Sequence, residues 1–165
     1  MKRPKLAFAP TRRRRAGYHP AVRIDFHFNV EHRLQYACRV VRRARSADCR
    51  VLLFSRDADR LARLDAALWT FSALDFVPHV YADSPLAART PVLLAGSLQE
   101  PAPACPVLVN LDDEIPPELP SLKARFERLI EIVSREDDDR HRARERFRLY
   151  REAGFEPQAH DRSAE

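Results

Sequence analysis

The feature that most constrains this chain is an alternation. Short continuous apolar runs bounded by turn-forming residues take turns with segments whose apolar residues recur at helical spacing. Val51-Leu52-Leu53-Phe54, between Arg50 and Ser55, has the length and continuity of a strand covered on both faces of a parallel sheet. Pro91 to Ala95 and Val107 to Leu111 read the same way, each introduced by a proline. Val22 to Phe28 instead alternates, with Val22, Ile24, Phe26 and Phe28 set against Arg23, Asp25 and His27, the period of a strand with one face buried. Between the strands, Leu34, Ala37, Cys38 and Val41 share one helical face within Glu31 to Arg45. Leu61, Leu64 and Leu68 do so after Asp57, a residue suited to cap a helix. The expected fold is therefore α/β, three layers deep, with helices on both faces of a mainly parallel sheet.

The later part of the chain follows the same logic. Pro116-Pro117-Glu118-Leu119-Pro120 reads as a loop, because proline lacks an amide hydrogen and restricts the residue before it. Ser121 is then expected to cap a helix carrying Leu122, Phe126, Leu129, Ile130 and Val133 as a buried stripe. The acidic residues Glu136 to Asp139 precede a final helix expected from about Arg140 to Ala153 and stopped by Gly154. Residues 1–20 read as a disordered basic arm, 21–155 as the folded domain and 156–165 as a polar C-terminal tail.

Charge and composition exclude several classes. The net charge is +5, but residues 1–20 hold seven basic residues and no acid, so residues 21–165 carry a net −2. A general duplex binder spreads positive charge over its folded surface. Cys38, Cys49 and Cys105 are odd in number and show no Cys-x-x-Cys spacing, and the six histidines show no metal-ligand pattern, so no metal is expected. With glycines only at 17, 96 and 154, no phosphate-cradling loop can be assembled, and no cofactor is expected. No run approaches the ~20 apolar residues of a membrane span, and the expected location is cytoplasmic. Asp112-Asp113-Glu114 follows an expected strand, where an open α/β sheet presents catalytic groups. That placement keeps open a carboxylate-dependent hydrolase beside a plain solvated turn.

Two segments go beyond fold class. Leu64-Asp65-Ala66-Ala67-Leu68-Trp69 is followed after six residues by Phe76-Val77-Pro78-His79, and a second segment runs from Arg142 through Phe147 and Tyr150 to Gly154-Phe155. In order and spacing they resemble the chi subunit of bacterial DNA polymerase III, over roughly Val22 to Phe155. The resemblance implies a Rossmann-like domain without nucleotide, a non-catalytic member of the clamp-loader assembly. It also implies binding to the acidic C-terminal tail of single-stranded DNA-binding protein, and to the psi subunit or a helicase. By match to the family motif, the tail contacts are Arg140, Arg144 and Phe147, with Val133, Arg151, Gly154 and Phe155 as pocket candidates. Trp69 and Phe76 fall to the psi or helicase surface. The family often has lysine and tyrosine where this chain has Arg140 and Phe147, which keeps charge and ring but removes a hydroxyl.

The residues themselves suit a tail receptor. Segment 140–151 carries six arginines against Glu145, a net +5. Arg140, Arg144, Arg148 and Arg151 form a basic stripe beside an apolar one of Ala143, Phe147 and Tyr150. Guanidinium forks for carboxylates beside an apolar seat for a ring are what an acidic peptide ending in phenylalanine requires. Core packing is the competing role for Phe147, Tyr150 and Phe155, and for Trp69 and Phe76. Direct nucleic-acid binding through the arm and the arginine helix is the competing function.

Overall fold

The computed structural model describes residues 21–99, 102–117 and 119–164. The expected basic arm, residues 1–20, lies outside the described residues. The chain forms a seven-stranded sheet, parallel throughout, from β1 (Arg23–Val30), β2 (Val51–Phe54), β3 (His79–Tyr81), β4 (Val92–Ala95), β5 (Val107–Asn110), β6 (Arg128–Ser134) and β7 (Gln158–Asp161). Their spatial order is β3-β4-β2-β5-β6-β1-β7. The helices are α1 (Arg33–Ser46), α2 (Ala58–Thr70), α3 (Leu119–Arg125) and α4 (Asp137–Glu152).

Each central strand sends alternate residues into two separate apolar clusters. Val51, Leu53, Val109, Ile130 and Ile132 meet α1 and α2 on one face, while Leu52, Phe54, Leu108, Leu129 and Val133 meet α3 and α4 on the other. The three-layer α/β arrangement and its Rossmann-like character follow from this division. Two-sided burial also explains why β2 and β4 appear in the sequence as unbroken apolar runs, and why β5 is apolar up to its last residue, Asn110. Asp57 caps α2 as expected, its side chain accepting the Arg60 amide hydrogen at 3.0 Å. Among the described residues no helix is long and apolar enough to cross a membrane.

The structure departs from the expectation in four places. The helix expected from Ser121 to Val133 is split: α3 ends at Arg125, and Arg128–Ser134 is the fully buried strand β6. Leu129, Ile130 and Val133 do fall at helical spacing, but a strand covered on both faces loses its period-two signal and mimics a buried helix. The loop expected through Pro120 is shorter, since α3 begins at Leu119 and proline is tolerated in a first turn, where amides lack intrahelical partners.

The third departure is β1, which is buried on both faces, with Asp25 and His27 fully enclosed. Asp25 Oδ2 accepts from Arg128 at 2.7 Å, and its Oδ1 lies 2.7 Å from His160 Nε2. Burial opposes ionisation of Asp25, but Arg128, His160 and Arg23 outweigh it and hold its pKa below the usual carboxylate value. His27 is pushed down to about 3, chiefly by burial and then by the Arg162 and Arg128 charges, and Tyr36 Oη lies 2.9 Å from its Nδ1. The fourth is the segment expected as a polar tail. It is polar, but Gln158–Asp161 forms β7, paired with β1 from Asp25↔Gln158 to Phe28↔Asp161. Backbone pairing needs no apolar side chains, so the composition of residues 156–165 carried no trace of it.

Candidate docking surfaces

Helix α4 begins under its own acidic residues. Asp137, Asp138 and Asp139 occupy the first turn, where carboxylates complement the positive helix end, and the Asp139 side chain accepts the Ser134 amide hydrogen at 2.7 Å. The helix stops in a paired hydrogen-bond motif. Gly154 N–H donates to the Arg151 carbonyl and Phe155 N–H to the Tyr150 carbonyl, both at 3.0 Å. Gly154 has φ +85°, a left-handed conformation that disfavours any side chain. The same turn places the Phe155 ring edge-on to Tyr150, centroids 6.2 Å apart, with Lys123 Nζ 4.8 Å from its centre. Gly154 therefore shapes the turn that seats Phe155.

The six arginines of α4 have separate fates. Arg146 is 1% exposed and its Nε donates to Glu131 Oε2 at 3.0 Å, while Tyr150 Oη and Asn110 Nδ2 donate to Glu131 Oε1 at 2.7 and 2.8 Å. Burial disfavours the Arg146 charge, but Glu131 and Asp139 more than offset it, and its pKa is raised. Burial and the Glu131 charge hold the Tyr150 hydroxyl protonated well above its ordinary range. Arg142 approaches Asp113 at 3.9 Å. Arg148, expected in the basic stripe, is bracketed by Glu145 and Glu152 of its own helix. Arg140, Arg144 and Arg151 remain exposed, with no ion-pair partner among the described residues.

These three arginines and Phe147 fall at i, i+4, i+7 and i+11, so they share one helix face. Phe147 is half-buried, its ring edge-on to Phe26 at 5.1 Å, so one side is anchored in the core and the other borders the arginines. Val133, Tyr150 and Phe155 are buried in the apolar cluster beneath. Core packing thus claims Tyr150, while Val133 and Phe155 support the ledge from below. Lys123, on a different helix, has no periodic relation to α4 and was not singled out in the sequence.

A second surface lies on the opposite face of the sheet, at the end of α2. Trp69 is 57% exposed and Phe76 68%, their rings 5.4 Å apart, and Leu74 beside them is 95% exposed. The Trp69 ring also lies 4.9 Å from that of His79, tilted by 60°, and His79 Nε2 lies 3.2 Å from Asp65. These rings are not core, and exposed apolar groups clustered this closely mark interaction sites.

The carboxylates after β5 hold loops together. Arg56 binds both Asp112 and Glu114, the latter at 2.7 Å, and Asp113 is met by Arg60 at 3.1 Å and Arg33 at 3.4 Å. The turn is less solvated than its composition suggests, since Asp112 is buried. Among the described residues no group of three His, Cys, Asp or Glu is placed to hold a metal ion.

Fold and surfaces together define a parallel α/β domain without a glycine phosphate loop, carrying an arginine and phenylalanine ledge on one face and an exposed aromatic cluster on the other. Its likeness to a DEAD box protein from Methanococcus jannaschii has a TM-score of 0.56 at 13% identity, covering 85% of this chain and 42% of that one. That to the C-terminal domain of S. cerevisiae Dbp5 has 0.53 at 9%, covering 88% and 92%. Both show the fold alone. The profile of the DNA polymerase III chi subunit, HolC, matches residues 22–158. The chain is 35% identical to the DNA polymerase III subunit chi of Pseudomonas aeruginosa over 84% of its own length and 95% of that protein. Against the Escherichia coli subunit the identity is 30% over 73% and 80%. The chain belongs to the DNA polymerase III chi subunit family.

Proposed function

We propose that the chain is a non-catalytic accessory subunit of the DNA polymerase III clamp-loader assembly in DNA replication. On this reading it binds the acidic C-terminal tail of single-stranded DNA-binding protein on α4 and bridges to the psi subunit or a helicase through Trp69 and Phe76. Family membership supports the replication role. The observation that carries the tail site is the sorting of charge on α4: three arginines compensated elsewhere, and three left exposed along the face that presents Phe147. Arg140, Arg144 and Arg151 supply forks for carboxylates, and the ledge around Phe147 and Phe155 supplies the seat for a terminal ring.

Calorimetry on the full chain, with a synthetic acidic peptide ending in phenylalanine and separately with single-stranded DNA, tests this. Saturable peptide binding that a terminal alanine in place of phenylalanine weakens is the expected result. Binding to the oligonucleotide alone would instead favour the direct nucleic-acid reading, with its charge in residues 1–20.

Because α2 and α4 pack on opposite faces of the sheet, Trp69→Ala or Phe76→Ala is expected to remove psi or helicase binding and leave tail-peptide affinity unchanged. Co-purification with each partner and peptide titration of the same variant measure the two separately. Parallel loss of both would tie the rings to folding instead.

A further inference from the structure

Adjacent strands β1 and β6 send the chain to opposite faces of the sheet, β1 into α1 and β6 into α4. Their carboxyl ends therefore part, and an open parallel α/β sheet holds ligands at such a point. Here the gap is a crevice of about 540 Å³ between the first turns of α1 and α4 and the flank of α2, lined by Arg33, Arg60, Arg63 and Arg142. Arg33 and Arg60 are mostly buried and engaged with Asp113 and the Leu111 carbonyl. Arg63 and Arg142 are exposed. Arg63 has no hydrogen-bond or ion-pair partner among the described residues, and Arg142 approaches Asp113 at 3.9 Å, too far for a hydrogen bond.

Two further features face this crevice. The N-cap of α1, His32, makes no side-chain hydrogen bond and the first turn of α1 holds no acid, whereas α4 carries three. The Leu34 and Gln35 amides of that turn lack an intrahelical acceptor, and both residues border the crevice. The second feature is Asp139, which is 2% exposed. Its Oδ2 accepts from Ser134, but its Oδ1 has no hydrogen-bond partner among the described residues and lies 3.6 Å from Arg33 Nη1. Arg33 Nε is likewise without one. A buried acceptor and a buried donor side by side in a cavity wall match a molecule that offers one of each. Burial lowers the Arg33 pKa, Asp139 opposes this, and the Arg146 and Arg60 charges add to the lowering, so an anion here relieves repulsion.

We propose that this crevice binds a small phosphate ester carrying a free hydroxyl, its phosphate held by Arg63, Arg142 and the first turn of α1, and its hydroxyl donating to Asp139. A tetrahedral dianion takes donors from several directions, and here they come from three helices: guanidinium forks from α2 and α4, and backbone amides from the positive end of α1. No glycine loop is needed, because the arginines and the helix end supply the donors. Asp113 does not oppose the anion, since Arg60, Arg33 and Arg142 outweigh its burial and hold its pKa low. Glu31 and Glu136 stand exposed at the rim, where they repel a continuous polyanionic strand and leave room for a discrete ligand. The crevice is separate from the arginine ledge, because Arg142 lies about 200° around α4 from Arg140.

The test is amide NMR on the full chain, titrated with glycerol phosphate, with inorganic phosphate and, at matched ionic strength, with sodium chloride. Glycerol phosphate should shift the Leu34 and Gln35 amides saturably and bind more tightly than inorganic phosphate. The double variant Arg63→Gln with Arg142→Gln should weaken it at least tenfold at an unchanged melting temperature, the scale of losing charge-assisted hydrogen bonds. Arg63→Gln alone, which breaks no hydrogen bond among the described residues, should weaken it several-fold and keeps the test independent of folding. Arg148→Gln, an exposed arginine of the same α4 paired with Glu145 and Glu152, should bind as wild type. Shifts that chloride reproduces, no saturable shift with either phosphate, or wild-type affinity in the double variant would overturn the site. Equal affinity for glycerol phosphate and inorganic phosphate would overturn the hydroxyl contact to Asp139 and leave the anion seat standing.

Discussion

Arg146→Ala should lower the unfolding free energy by about 3–5 kcal/mol, the cost of stranding one member of a buried ion pair. Arg146 is 1% exposed, and its removal leaves the enclosed Glu131 carboxylate with the Asn110 and Tyr150 donors among the described residues. It also removes the 3.0 Å hydrogen bond to the Asp113 carbonyl that ties α4 to the loop after β5. Urea unfolding followed by circular dichroism measures the effect. The double substitution Arg146→Met with Glu131→Leu should recover much of the loss, since an apolar pair of similar volume often replaces a buried ion pair with little penalty. A loss under about 1 kcal/mol for Arg146→Ala would show that the pair contributes no more than a surface bridge.

Arg144→Ala, two residues away on the same helix, should do the opposite: leave stability unchanged and weaken the acidic tail peptide by about 1.5–3 kcal/mol, the worth of a charge-assisted hydrogen bond. That is at least a tenfold change in Kd. Phe147→Ala should also weaken the peptide, but with less salt dependence, because it removes apolar contact and not charge. Peptide titrations of the two variants and wild type at low and high salt resolve these contributions. Wild-type affinity in a folded Arg144→Ala protein would remove α4 from the tail site. The contrast between Arg144 and Arg146 follows from geometry: at 100° per residue, a two-residue step turns a side chain from solvent to core.

Much of the candidate site was legible in the sequence, and the sorting of its residues was not. The 3.6-residue period placed Arg140, Arg144, Arg148 and Arg151 in one stripe beside Phe147, and the resemblance to chi subunits singled out Arg140, Arg144, Phe147 and Arg151 along with Trp69 and Phe76. The count of arginines included Arg146 and the helical period included Arg148, because neither can know which side chains meet a carboxylate. Glu131 is the residue that turns Arg146 inward. It lay unnoticed inside Arg128–Ser134, a segment whose apolar residues fit a helix as well as a strand.

What the sequence determined by itself was what local rules can set. Proline and Asp57 mark element starts, Gly154 marks an end, helical periods define faces, and unbroken apolar runs such as Val51 to Phe54 form strands buried on both sides. The tertiary structure alone decided what depends on distant pairing. It made β6 a strand by placing it between β5 and β1, and recruited polar Gln158–Asp161 to the sheet through backbone hydrogen bonds. It enclosed Asp25 and His27 by laying α1 and β7 against β1, and left Trp69, Leu74 and Phe76 in solvent. Local propensity acts through neighbours in the chain, whereas burial and charge pairing act between residues such as Asp25 and His160 that meet only when the sheet has formed.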